Sequence, residues 1–136
     1  MHVVFKNIMM AEETREIPAN IPPGYVRVSP AHITLLSSEL PNNVRKILKG
    51  IWNTLELPPF PEVTYGEPYL ANNGRKESLV APCNEQGAIR AWVEQVVDML
   101  GLDGIVIDPN REYHVSVANP TGSPFDSVPD PWNHRI

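Results

Sequence analysis

Two short stretches of this chain place an imidazole two residues before a hydroxyl: His32-Ile33-Thr34-Leu35 and His114-Val115-Ser116-Val117. Both read His, aliphatic, hydroxyl, aliphatic, and both lie in runs rich in β-branched residues. Side chains alternate across a strand, so each stretch puts its imidazole and hydroxyl on one face and its aliphatic pair on the other. One copy lies in each half of the chain. If the halves pack around a pseudo-twofold axis, two imidazoles and two hydroxyls converge on one cleft. That set suits the cleavage of a phosphodiester. An imidazole with an ordinary pKa of about 6.5 allows one copy to act as a neutral base and the other as a protonated acid near neutrality. Thr34 and Ser116 can donate to the non-bridging oxygens as charge builds on them. With a ribose 2′-hydroxyl as nucleophile the first product is a 2′,3′-cyclic phosphate, which water opens by the reversed roles. Which histidine begins as the base stays open at the level of sequence. The competing reading is a pair of half-buried histidines at sheet edges with no chemical role. Two histidines alone make a poor zinc site, so no metal and no cofactor are expected.

The elements that must position these residues are legible from periodicity. Apolar residues recur at Val44, Ile47, Leu48, Ile51, Trp52 and Leu55, and again at Ile89, Trp92, Val93, Val96, Val97 and Leu100. This spacing predicts amphipathic helices over 42–55 and 84–100, the second capped by Asn84 and stopped by Gly101, with Trp52 and Trp92 facing the core. Strands are expected over 2–10, 25–29, 31–37, 62–70, 76–81, 104–107 and 112–119, with a hairpin turn at Asn72-Asn73-Gly74. Two helices among many strands, with no glycine-rich strand-to-helix turn, predict an α+β fold with largely antiparallel sheet, not a doubly wound one.

Length and composition narrow the function classes. The chain has 136 residues, the size of one domain, so 1–136 is read as a single unit with 119–136 as a Pro-rich tail or lid. Fifteen prolines fall between the candidate elements and punctuate them. A single cysteine, Cys83, cannot form an internal disulfide and is expected as a small buried residue. No apolar run is longer than Ile8 to Ala11, so no membrane-spanning helix is expected. With 11 basic and 16 acidic residues the net charge is −5, which disfavours a groove for long nucleic acid and still permits a small anionic ligand.

The two His-x-Thr/Ser stretches, their placement in opposite halves and the order of elements resemble the two-histidine (2H) phosphoesterase superfamily. The resemblance covers nearly the whole chain up to Asn119; Ser116 stands where Thr is commoner. It implies a bilobal fold, two pseudo-symmetric lobes of antiparallel sheet with a helix each around a central cleft. It also implies metal-independent catalysis by His32, Thr34, His114 and Ser116. The compact size and the stretch from Tyr113 to Pro124 look most like a bacteriophage branch that includes anti-CBASS enzymes. Those hydrolyse 3′–5′ bonds of the cyclic oligonucleotide signals of bacterial immunity. That likeness implies a monomeric enzyme acting in the cytoplasm of an infected bacterium.

Further candidates surround the motifs. Trp132 in the tail and Tyr25 can stack on a base, as can Tyr69, Tyr113 and Phe125, although Tyr113 alternates away from His114 toward the core. Lys76, with Arg75 at the Asn-Gly turn, can meet a phosphate, as can backbone amides near Gly122. His2 and His134 lack the hydroxyl partner and read as surface residues. Two other functions compete: RNA end processing by a 2′,3′-cyclic phosphodiesterase or a 2′–5′ RNA ligase-like enzyme, and sequestration of a nucleotide without turnover. The first calls for a basic track, for which only Arg27, Arg75, Lys76 and Arg111 are available. The second has no need of two proton-transfer groups.

Overall fold

The computed structural model describes residues 2–4, 8–102 and 104–136. Strands β1 (His2–Val4), β2 (Ile8–Glu13), β3 (Val26–Arg27), β4 (His32–Ser38), β5 (Tyr69–Asn72), β6 (Glu77–Pro82) and β7 (His114–Asn119) form one sheet in which every pairing is antiparallel. The order across it is β1-β2-β4-β7-β6-β5, with β3 also on β7. Three strands from the first half of the chain thus adjoin three from the second, and the halves meet where Ile33 pairs with Val115. With helices α1 (Asn42–Ile51) and α2 (Gln86–Leu100), this is the α+β class that the pattern predicts.

Alternation assigns the faces. Ile33 and Leu35 of β4, Val115 and Val117 of β7 and Ala81 of β6 are buried in one cluster with Leu48 of α1 and Ile89, Trp92, Val93, Val96 and Leu100 of α2. At roughly 1.5–3 kcal/mol for each fully buried aliphatic side chain, this helix-covered layer is the main source of cohesion. The opposite face carries the motif residues and a smaller cluster of Tyr69, Ala71, Val80 and Val128. Tyr113 points into the main core, as its alternation predicts, and Cys83 is buried there too.

Several local expectations need correction. The expected strand 2–10 is two strands, β1 and β2, paired as a hairpin with His2 opposite Ala11; Phe5, Lys6 and Asn7 lie outside the described residues. Of the expected strand 62–70 only Tyr69 and Leu70 lie in a strand, the start of β5, with Tyr65 bridged singly to Cys83 and Pro68, which lacks an N–H, just before β5. The apolar run 104–107 is no strand: Ile105 and Ile107 pack on the core while Val106 is 67% exposed and its amide donates to Ser38 Oγ. It alternates as a strand would, but no strand pairs with it. The first helix ends at Ile51 and tightens into a 3-10 turn over Trp52–Thr54. Asn84 does not cap α2. Glu85 precedes that helix, and its carboxylate accepts from Thr64 N–H and Oγ while Asn84 Nδ2 donates to Thr64 Oγ. Gly101 does end α2, in the left-handed conformation at φ 59°, where its N–H reaches Val97 and Asp98 carbonyls. The β5–β6 hairpin turns at Asn73–Lys76 with Gly74 at φ 88° and Asn73 Oδ1 accepting two amides.

Candidate active site

The two motif strands touch through their core-facing residues. Residues directly opposite in an antiparallel pair share a face, so Ile33 and Val115 both point to the helices. Continuing that register by one residue each way sets His32 opposite Ser116 and Thr34 opposite His114, all four on the other face. Both motifs thus present an imidazole and a hydroxyl on the sheet face away from the helices. Neighbouring strands extend the two rows, with Glu13 of β2 opposite His32, Val80 of β6 opposite Ser116, and Ala11 and Pro82 flanking Thr34 and His114.

Both imidazoles are anchored in the same way. His32 Nδ1 lies 3.0 Å from the Pro30 carbonyl, and His114 Nδ1 lies 2.9 Å from the Glu112 carbonyl. A carbonyl oxygen only accepts, so each Nδ1 carries the hydrogen and each Nε2 keeps its lone pair in the neutral form. Ser29, Pro30 and Ala31 make room for this anchor. Val28 N–H bonds Val117 O, yet Ile33 already pairs with Val115, so the chain loops out opposite β7 just before His32.

Their surroundings differ. His32, Thr34 and Ser116 are half-buried, whereas His114 is only 8% exposed. His114 does not face solvent, because the tail covers it. After a 3-10 turn at Pro124–Asp126, Val128 N–H donates to Ser78 Oγ, and a second turn at Pro131–Asn133 sets the Trp132 ring 5.9 Å from that of His114. Arg135 then bridges Ala71 on β5, with Asn72 N–H donating to His134 O and Ile136 N–H to Leu70 O. The tail is docked along its length. Burial pushes the His114 pKa down to about 4, the charges of Arg111 and His32 also lower it, and the Glu112 carbonyl opposes them. His114 is therefore neutral at pH 7, with Nε2 able to accept a proton.

Of the further candidates, only Trp132 joins the motifs. Tyr25, Lys76 and Gly122 stand around the other end of β7, where Val26 pairs with Asn119; six residues of strand, about 20 Å, separate His114 from Pro120. The Gly122 amide is occupied, donating to Asn119 Oδ1 as Thr121 N–H also does, and an added Cβ would lie 2.9 Å from Val26 Cγ1. Lys76 Nζ donates to the Phe125 carbonyl and lines a cavity of about 440 Å³ with Arg75, Glu77, Thr121 and Asp126. Tyr25 faces Glu77; burial first and that carboxylate second raise its phenol pKa. Tyr69 is under Arg135 and donates to Glu112, and Phe125 is 82% exposed at the far end. His134 pairs with Asp130 at the surface, while the side chain of His2 lies outside the described residues.

Arg111 is the residue sequence reasoning passed over as a site candidate. It precedes the motif by three residues, and its guanidinium carbon is 5.7 Å from the Trp132 ring centroid. Nothing in the sequence separates it from the other basic residues, since its position depends on how the tail folds back. Among the described residues no group of three or more His, Cys, Asp or Glu is placed to hold a metal, and no helix is long and apolar enough to cross a membrane. The chain matches no family model, no curated protein and no solved structure.

Proposed function

We propose that the chain is a two-histidine phosphodiesterase that opens 3′–5′ bonds of small cyclic oligonucleotides, with the two half-sheets as its lobes. The Ile33–Val115 register carries the reading, because it sets both imidazoles and both hydroxyls on one face. Neutral His114, with its lone pair on Nε2, takes the proton of the attacking hydroxyl. His32, on the more open side, gives a proton to the leaving oxygen. Thr34 and Ser116 donate to the non-bridging oxygens, whose charge grows toward the transition state. Each proton transfer is worth about 10²–10⁴-fold, and a hydroxyl donor about 10–10³-fold, without need of a metal.

The substrate class follows from charge and access. A net charge of −5 suits a compact nucleotide better than a polymer. Trp132 over His114 offers a ring on which a base can stack at the edge of the site. As an agent against cyclic-oligonucleotide immunity, the protein would work in the cytoplasm of an infected bacterium. The test is incubation in chelator with cyclic dinucleotides, cyclic trinucleotides and linear RNA bearing 2′,3′-cyclic ends, with products identified by mass. Ring opening supports the proposal. Turnover of RNA ends alone replaces it with end processing, and no turnover of any of them rejects it.

A further inference from the structure

Arg111 is a half-buried cation whose guanidinium makes no ion pair with another described residue. The ion pairs among the described residues are Arg27 with Glu16 and His134 with Asp130, and the Arg111 guanidinium donates no hydrogen bond. Its contact is the Trp132 ring. Asp108 is near enough for its charge to favour the guanidinium but makes no ion pair with it, and Arg90 repels it. Arg90 itself spends its donors on the Asp108 and Arg111 carbonyls. Arg27 shows how this chain treats a structural arginine: it binds the Ile17 and Ala19 carbonyls and the Glu16 carboxylate. Withdrawing a guanidinium from water without a partner is costly, and here burial lowers its pKa. A second donor beside it is also unmet: Trp132 Nε1 is buried with no acceptor. An unmatched guanidinium near His114, in a chain with more acidic than basic residues, calls for an anionic acceptor from outside.

We propose that Arg111 binds a phosphate of the substrate other than the one attacked, so that the preferred substrate carries at least two phosphates. Arg111 lies before β7 begins, off the end of the strand and past His114, not over the four residues that surround the reacting phosphorus. Trp132 borders both positions, 5.9 Å from the His114 ring and 5.7 Å from the Arg111 guanidinium carbon. A guanidinium can grip two phosphate oxygens at once, which a lysine cannot. This deepens the phosphodiesterase reading and rests on it.

The experiment compares wild type with Arg111→Gln and Arg111→Lys on cyclic di-adenosine monophosphate, which has two phosphates, and on 2′,3′-cyclic adenosine monophosphate, which has one. Melting temperatures check the fold. The expected result is a 10- to 100-fold rise in KM for the dinucleotide in Arg111→Gln, at least tenfold larger than the change for the mononucleotide. Arg111→Lys should recover only part of it. Equal losses on both substrates overturn the second-phosphate assignment. If the wild type cleaves neither, the phosphodiesterase reading fails, and calorimetry with the dinucleotide decides the subsite. At least tenfold weaker binding by Arg111→Gln then upholds it, whereas equal binding, or none by either protein, overturns it.

Discussion

The His32 strand and the His114 strand carry the same four-residue pattern and the same Nδ1 anchor, yet the rest of the chain completes them differently. β4 lies beside a two-strand hairpin, β1–β2, and its imidazole stays half open. β7 lies under a docked tail that buries its imidazole beneath Trp132 and lowers its pKa to about 4. Two equal residues thereby become unequal: one is buried and held neutral, the other stays next to solvent. The lesson is that a symmetric motif pair is given distinct environments by asymmetric coverage, here by residues that follow the second motif.

The largest effects should come from the imidazoles. His32→Ala and His114→Asn are expected to lower the turnover rate by about 10²–10⁴-fold each, measured on a cyclic dinucleotide. Asn is chosen at 114 because its amide can still donate to the Glu112 carbonyl. The hydroxyls should matter less and alike: Thr34→Val and Ser116→Ala each reduce kcat by about 10–10³-fold, with KM less changed. A pure KM effect would make them ground-state binders.

Stability separates the two sides more gently. Trp132→Ala should cost on the order of 2 kcal/mol, less than deletion of a fully buried aromatic, and read as a lower Tm. It should also raise the His114 pKa toward its ordinary value, visible in the imidazole NMR titration. If His114 still titrates near 4, the tail is not the cause of the asymmetry. A pH dependence follows from the same burial. Folded His114 binds its proton only near pH 4, whereas the unfolded chain binds it near 6.5. The unfolded state thus holds more protons between these values, and stability falls as pH drops from 6.5 toward 4. Tm should decline through that window in the wild type and less in His114→Asn.

Much of this was readable in the residues. The 3.6-residue period of the second helix, the alternation around both histidines and the Asn-Gly turn are local signals, and each element forms where it predicts. What the sequence did not disclose depends on contacts distant along the chain. The 104–107 run has strand-like alternation, but pairing requires a free neighbouring edge. Tyr25, Lys76 and Gly122 fall at the far end of β7, about 20 Å of strand from His114, a separation that appears only once the strands are paired. Arg111 gains its place only when the tail, some twenty residues later, returns to lay Trp132 beside it.

The central claim is that the two motifs act as one catalytic unit, and the most direct measurement is a double-mutant cycle on single-turnover cleavage of a cyclic dinucleotide in chelator. Wild type, His32→Ala, His114→Asn and the double variant are compared after their folding has been confirmed by melting. The account predicts that the double variant is slower than either single one by no more than a few-fold, because removing one proton-transfer partner already disables the other. Losses that multiply in full, or a single variant that keeps the wild-type rate, would contradict it.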